Sequence, residues 1–218
     1  MNIINIPCRR ENHGGLRSSK KKYIVVHFTA NNGDTARGNG EYFARELTGA
    51  SAHLFVDDNE VVCSVSLDYV AYHCGAEAYI HPKCRNSNSI GVELCSRLDK
   101  DGMYYFTDET MDKAAELIRW LMKKYDIPIE NVIRHFDVTG KNCPAPFVGA
   151  GQADWEKFKE VIAMKRYNTI EEMPEWAKPT IQKLIDAKIL NGTGAGLDLS
   201  MDSIRLLVIL DRAGVFDK

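Results

Sequence analysis

Hydrophobic and polar positions along the first 165 residues predict a series of short strands. A β-branched and aromatic run over residues 23–27 predicts a buried strand that ends near His27. Shorter runs predict further strands over 53–57, 61–65, 89–95 and 131–135, the first two of them paired around a turn. Gly91, inside the run over 89–95, indicates close approach of a second backbone or a bulge. Residues 136–147, with Gly140, Pro144 and Pro146, are expected to form a loop.

Helical patterns alternate with these strands. Residues 35–47 can form a helix, and the clearest pattern begins at Thr107, a good N-cap, and carries apolar residues at helical spacing as far as Tyr125. Residues 155–165 are expected to form the closing helix. Strands that alternate with helices predict an α/β domain over residues 1–165.

A second, smaller module is predicted over residues 166–218. It has two helical patterns, over 175–189 and 201–213, with Ser200 as the N-cap of the second and a glycine-rich turn between them. About fifty residues with few apolar positions form only a thin core. We therefore expect this helical module to pack against the first domain or against another copy of the chain.

Composition and charge exclude several classes of function. The 218 residues carry a formal net charge of −2, so a broad basic surface for nucleic acid is not expected. No apolar run is long enough to span a bilayer, which argues against membrane insertion. The first ten residues place their charges after a short apolar stretch, the reverse of a secretory signal, so synthesis in the cytoplasm is expected.

Two histidines and a cysteine fall where predicted strands give way to loops. His27 and His135 each end a strand, and Cys143 follows eight residues after His135. Two imidazoles and a thiolate suit zinc, and a catalytic zinc site has three protein ligands and an open fourth position. By spacing alone, however, buried core histidines and a buried thiol are the simpler interpretation.

Five sequence motifs in order change this interpretation. They are YIVVHFTA (23–30), SAHLFV (51–56), AYHCG (71–75), NSIGVE (88–93) and RHFDVTGKNCP (134–144). Together they closely resemble the zinc-dependent N-acetylmuramoyl-L-alanine amidases of phage endolysins and bacterial autolysins, the family that includes the peptidoglycan recognition proteins. The resemblance spans roughly residues 20–165.

The resemblance implies a three-layer α/β domain, with a mainly β central sheet flanked by helices and Zn²⁺ at the floor of a groove. By resemblance, His27, His135 and Cys143 are the zinc ligands, and Glu93 is the catalytic glutamate. Lys141 is similar to the cation that supports the oxyanion, and His73 to a residue that lines the substrate groove.

The activity implied is hydrolysis of the amide bond between N-acetylmuramic acid and L-alanine of the peptidoglycan stem peptide, by a zinc-activated water. The enzyme would act at the bacterial cell wall after release from the cytoplasm. The sequence leaves its origin open between a phage and a bacterium. Some phage members have a catalytic tyrosine where this chain has Ala52, which favours Glu93 for proton transfer.

Two other classes of function compete with this one. The same fold serves as a peptidoglycan-binding module without activity when a ligand is lost, and a zinc ion could also be purely structural. Non-catalytic relatives typically lack the cysteine, so Cys143 favours the enzyme. A structural zinc site would have no use for Glu93 and Lys141.

The C-terminal module resembles a single S-layer-homology-like repeat of the kind attached to cell-wall hydrolases. The likeness rests on Trp176, Ile181, Leu184, the segment 189–192, the segment 197–200 and Arg205. It implies anchoring to wall polymer; homodimer formation through the apolar stripe of the last helix competes equally, and simple packing is the third interpretation. Cys74 and Cys84 could form a disulfide outside the cell or stay free thiols.

Overall fold

The structure, a computed structural model, describes residues 2–194 and 196–217. These residues divide into two units, 2–163 and 164–217, each with buried hydrophobic residues of its own. The division lies close to the boundary expected after residue 165. It differs in one respect, because residues 164 and 165 belong to the second unit.

Ten strands are described in the first unit. They are β1 (Ile3–Asn5), β2 (His13–Leu16), β3 (Tyr23–Phe28), β4 (Leu54–Val56), β5 (Val61–Cys63), β6 (Tyr69–Ala71), β7 (Ser89–Leu94), β8 (Arg97–Leu98), β9 (Tyr104–Tyr105) and β10 (Val132–Arg134). Six form the central sheet in the order β1-β5-β4-β7-β3-β10, in which only the β4–β5 pair is antiparallel. The other four form two antiparallel pairs, β2 with β6 and β8 with β9.

Four α-helices are described in the first unit. They are α1 (Ala36–Arg45), α2 (Asp108–Tyr125), α3 (His135–Thr139) and α4 (Gln152–Ala163). The predicted N-cap of α2 is confirmed, since the side chain of Thr107 accepts a hydrogen bond from the backbone N–H of Thr110. Thr35 caps α1 in the same way. These caps satisfy amide groups that the first turn of a helix leaves unpaired.

The period-2 alternation of β7 separates the two faces of the sheet. Ser89, Gly91 and Glu93 point to one face, while Ile90, Val92 and Leu94, all fully buried, point to the other. Helix α1 lies on the first face, where Phe43 stacks on Phe55 of β4 with ring centroids 5.4 Å apart. Helix α2 contacts β4 and β7 and covers the apolar face. The predicted α/β architecture, a central sheet between helices, is confirmed.

Several local predictions need correction. Gly91 lies in an unbroken register between β3 and β7, and the group that approaches it is the ring of His73, not a second backbone. The strand predicted over 131–135 ends at Arg134, and His135 begins α3, so the segment 136–147 is not simply a loop. Residues 3–5 form an edge strand that the sequence analysis missed because the apolar run is very short.

The second unit contains two helices and one antiparallel strand pair. Its elements are β11 (Arg166–Tyr167), α5 (Lys178–Asp186), β12 (Leu199–Ser200) and α6 (Met201–Arg212). Ser200 accepts a hydrogen bond from the backbone N–H of Ser203, which confirms it as the N-cap of α6. Both helices are shorter than predicted, and the strand pair was not predicted. The unit has a core cluster of its own: Tyr167, Met173, Ala177, Ile181, Leu199, Ile204 and Val208.

The helices of the described residues do not resemble membrane-spanning helices. None of them combines the length and the apolar composition that crossing a bilayer requires.

Candidate functional site

The ends of three neighbouring strands bring His135, His27 and Glu93 together. His27 in β3 is the register partner of Glu93 in β7, so the two side chains leave the same face of the sheet side by side. On the other side of β3, Arg134 pairs with Val26. His135, the next residue, is therefore beside His27.

A short return of the chain brings Cys143 to the same point. After α3 the chain turns at Gly140, whose φ of 80° suits glycine. The backbone N–H of Phe136 then donates to the carbonyl of Cys143 at 2.8 Å. As a result Cys143 Sγ lies 3.6 Å from His27 Nδ1, although the two residues are far apart in sequence.

These three side chains fit a zinc ion. One ligand atom from each of His27, His135 and Cys143 lies within 4.8 Å of the others, and all three residues are buried. His135 Nδ1 is buried and has no hydrogen-bond partner among the described residues, a costly arrangement unless it binds something. Two imidazoles and one thiol are a donor set that zinc uses, with a fourth position left open.

Burial determines the protonation of the three candidate ligands. It lowers the pKa of His27 well below its usual value, and it lowers the pKa of His135 to about 4, with the charge of Lys141 acting in the same direction. Both histidines are therefore neutral at pH 7 and can offer a lone pair. Burial, together with the charge of Glu93, raises the pKa of the Cys143 thiol to about 12. A metal ion must therefore displace the thiol proton when it binds.

Glu93 stands beside the candidate metal ligands with one free oxygen. Its Oε1 lies 3.9 Å from His27 Nδ1, and its side chain is 20 % exposed. Its Oε2 is buried and makes no hydrogen bond within the described part of the chain. Burial raises the pKa of Glu93 to about 8, while Lys141 lowers it and Asp34 raises it further.

A cavity of about 830 Å³ gives access to this cluster. All six residues singled out from the sequence, His27, His73, Glu93, His135, Lys141 and Cys143, line it. Lys141 is exposed, and its charge acts on both Glu93 and His135. Tyr42 and Tyr72 form part of the wall and are 47 % and 37 % exposed, so the cavity offers aromatic as well as charged surface.

His73 is part of the cavity wall, but both of its ring nitrogens contact the protein. Its Nδ1 lies 3.0 Å from His27 Nε2, and its Nε2 lies 3.0 Å from Ser89 Oγ. The side chain is only 9 % exposed. Ser89 and Gly91, which contact His73, were not predicted from the sequence as neighbours of the site. The spacing Ser89–Gly91–Glu93 was the available signal, since alternate strand residues share a face.

Two other histidines, His53 and His81, have structural roles. His53 is fully buried, and its Nδ1 accepts a hydrogen bond from the backbone N–H of Gly91. His81 Nδ1 accepts from the backbone N–H of Cys84 at 2.8 Å. Cys74 and Cys84 are both buried free thiols in the structure.

Comparison with known proteins identifies similar sequences and folds. A sequence model of the family described as N-acetylmuramoyl-L-alanine amidase matches residues 17–146. The chain is 32% identical to the N-acetylmuramoyl-L-alanine amidase BlyA of Bacillus subtilis (strain 168) over 214 residues, which cover 92% of this chain and 56% of BlyA. It is 38% identical to the amidase CwlL of Bacillus licheniformis over 144 residues, 62% of this chain and 39% of CwlL. The chain thus spans about half the length of these relatives or less.

Solved structures share the fold of most of the chain. A mutant endolysin from Bacillus subtilis matches with a TM-score of 0.62 and 31% sequence identity. The match covers 74% of this chain and 99% of the endolysin chain. Nearly the whole endolysin chain is therefore matched, whereas about a quarter of this chain lies outside the match.

Proposed function

Because the chain belongs to the N-acetylmuramoyl-L-alanine amidase family, we propose that it hydrolyses bacterial peptidoglycan at the amide bond between N-acetylmuramic acid and L-alanine of the stem peptide. One observation carries the proposal. Ligand atoms of His27, His135 and Cys143 converge within 4.8 Å, with Glu93 beside them in the wall of an 830 Å³ cavity. Such a cavity has room for a substrate.

The proposed cofactor is Zn²⁺, held by His27, His135 and Cys143. Bound there, zinc would supply Lewis-acid activation of the attacking water and of the scissile carbonyl. The protein prepares the site by keeping both imidazoles neutral and by leaving His135 Nδ1 without a partner among the described residues. The unpaired nitrogen supports its assignment as a ligand.

Glu93 is the proposed group for proton transfer. Its unpaired Oε2 can accept a proton from the attacking water and then deliver it to the leaving amine. In the metal-free protein burial raises the pKa of Glu93 to about 8, close to neutrality, which suits a group that must both accept and donate.

Lys141 is the proposed electrostatic support for the transition state. Its charge already acts on Glu93 and His135, and it lines the same cavity. A positive charge there favours the negative charge that develops on the carbonyl oxygen during attack. His73 lines the cavity as well, and its proposed contact with substrate is limited to the small exposed part of its ring.

For the second unit we propose an accessory role at the wall, as a binding module or as a dimerisation surface. Its helix α6 buries Ile204 and Val208 in the core of the unit. The same helix leaves Leu206 and Ile209 exposed by 56 % and 62 %. The localisation that follows for the protein is the bacterial cell wall.

The proposed activity is tested on purified cell-wall sacculi. We expect the protein to release material with free lactyl groups on muramic acid and new L-alanine amino termini, identified by mass spectrometry. Treatment with a chelator should stop the release, and added zinc should restore it. New reducing sugars would instead identify a glycosidase. Sacculus binding without any cleavage would identify a recognition module.

A further inference from the structure

Ser89 and His73 form a hydrogen-bonded chain that ends on the candidate ligand His27. Ser89 Oγ lies 2.7 Å from the carbonyl oxygen of Arg85 and 3.0 Å from His73 Nε2. His73 Nδ1 lies 3.0 Å from His27 Nε2. The three side chains lie in the interior, and Ser89 is fully buried.

The carbonyl of Arg85, at one end of this series of hydrogen bonds, determines the direction of each of them. A carbonyl oxygen only accepts, so the single hydroxyl proton of Ser89 must point at Arg85. Ser89 Oγ can then only accept from His73, which puts a proton on His73 Nε2. The thiol of Cys74, 3.8 Å from the same oxygen, is a further weak donor and leaves this assignment unchanged.

The position of the proton on the His73 imidazole in turn determines the position of the proton on His27. An imidazole in its neutral form that carries its proton on Nε2 has a lone pair on Nδ1. That lone pair must accept from His27, so His27 carries its proton on Nε2. Its other nitrogen, Nδ1, then has the free lone pair, and this is the atom that lies 3.6 Å from Cys143 Sγ and 3.9 Å from Glu93 Oε1.

The backbone of β7 reserves the space for the His73 ring. A Cβ on Gly91 would lie 2.6 Å from Cγ and 2.8 Å from Nδ1 of His73, distances at which one group must move. The backbone N–H of Gly91 in turn donates to His53, whose ring packs edge-on against His73 with centroids 5.6 Å apart. The ring position is therefore fixed from two sides.

We propose that Ser89 and His73 are positioning residues that hold His27 in the tautomer with Nδ1 free for the metal. This inference rests on the proposed zinc site and goes beyond it, because it assigns the ligand atom of His27 and the residues that select it. Partners in this position orient ligands and strengthen metal binding by roughly 10–100-fold.

The first test is the tautomer itself, read in the metal-free wild-type protein by ¹H–¹⁵N correlation spectra of the histidine rings. We expect both His27 and His73 to carry their proton on Nε2. A proton on His27 Nδ1 would overturn the proposal. We call the hydrogen-bonded chain from Ser89 through His73 to His27 the relay. This measurement needs neither zinc nor activity, so it separates failure of the relay from failure of the proposed function.

The second test is zinc affinity, measured by competition with a chromophoric chelator. His73→Phe keeps a ring of similar shape but removes the acceptor, and we expect zinc to bind about 10–100-fold more weakly. His73→Asn puts an amide oxygen near the position of Nδ1 and should restore most of the affinity. Ser89→Ala should cause a smaller loss, because both His73 tautomers then become available.

The matched control is Ser96→Ala. Ser96 is fully buried and donates to a backbone carbonyl, that of Asn31, but it is outside the relay. The Ser96→Ala variant should bind zinc with the affinity of the wild type. Wild-type zinc affinity in folded His73→Phe or Ser89→Ala would contradict the proposal, and the Ser89 variant keeps the test decisive if His73→Phe does not fold. Zinc binding without cleavage of sacculi would contradict the proposed function and leave the relay intact.

Discussion

At the scale of single residues, burial keeps the three candidate metal ligands His27, His135 and Cys143 uncharged at pH 7. The two histidines are neutral at pH 7, and the thiol is protonated, because water that would stabilise their charged forms is excluded. A metal cation reverses this preference for the thiol, since it stabilises the thiolate directly. Binding of zinc is therefore expected to release the Cys143 proton.

The first prediction concerns the three ligands. We expect His27→Ala, His135→Ala and Cys143→Ser each to lower bound zinc and to abolish wall lysis, because each removes one of three protein ligands. Elemental analysis of the purified variants measures the zinc. Cys63→Ser, at a half-buried cysteine in β5, is the control and should keep its zinc. Full zinc occupancy in Cys143→Ser would show that the third ligand is another residue.

The second prediction concerns Glu93. Glu93→Gln keeps the shape of the side chain and removes the base, so zinc should stay bound while turnover falls by about two to four orders of magnitude. Turnover is measured on soluble muropeptides, and Glu109→Gln on the exposed side of α2 serves as the control. Near-normal turnover in Glu93→Gln would move the proton-transfer role to another group.

At the scale of elements, hydrogen bonds of Arg134 hold the segment between α3 and α4, which contains Cys143. Its side chain is 7 % exposed, and its guanidinium donates to both oxygens of Asp137 in α3. It also donates at 2.6 Å to the carbonyl of Phe147 and to Gln152 Oε1 at the start of α4. One side chain at the end of β10 therefore holds both ends of the segment between α3 and α4.

The third prediction follows from this arrangement. Arg134→Met takes the guanidinium donors away from the Asp137 carboxylate, the Phe147 carbonyl and Gln152 Oε1. We expect it to lower the free energy of unfolding by about 3 kcal/mol, at the lower end for a buried ion pair because Asp137 is partly exposed. Urea unfolding measures the change. Arg37→Met breaks a similar two-oxygen pair with Glu60, but at a side chain that is 50 % exposed, and should cost less than about 1 kcal/mol. Equal costs for the two variants would contradict the role given to Arg134.

At the scale of the whole molecule, the two units have separate hydrophobic clusters. The residues proposed for catalysis and the whole central sheet belong to residues 2–163. The buried core cluster described for the second unit consists of residues between Tyr167 and Val208. The first unit is therefore expected to fold without the second.

The fourth prediction is that a chain ending at Ala163 stays folded and cleaves small soluble muropeptides about as well as the full chain. Its activity on intact walls should fall, because a second contact raises the local concentration of enzyme at the substrate. Light scattering and sacculus binding distinguish the roles of the second unit. A change from dimer to monomer supports self-association, and weaker sacculus binding by an unchanged monomer supports anchoring.

A point variant in the full chain provides the control for self-association. Ile209→Glu places a charge on the exposed side of α6 without touching the core of the unit. It should dissociate a dimer formed through that face but leave binding of the wall by a monomer unchanged. If truncation changes neither the oligomeric state nor wall binding nor lysis, the second unit has no accessory role.

Local features of this protein were determined by its sequence alone. The apolar spacing of α2, the N-caps Thr107 and Ser200 and the buried strand β3 could be predicted because each depends on contacts within a few residues. The α/β class followed from their order along the chain. The six candidate site residues were chosen through motifs that resemble a known family, and the structure brings all six to one cavity.

Only the tertiary structure decided which distant positions meet. The register between β3 and β7 puts His27 beside Glu93 and Ser89 beside Tyr23. The two strands are far apart in sequence, so no local pattern encodes which of their residues pair. The same applies to Gly91, whose missing Cβ makes room for a ring eighteen residues earlier in the chain. It applies also to Arg134, whose partners Asp137, Phe147 and Gln152 meet it only in the folded chain. Helices and caps arise from neighbours in sequence, whereas a buried site arises from neighbours in space.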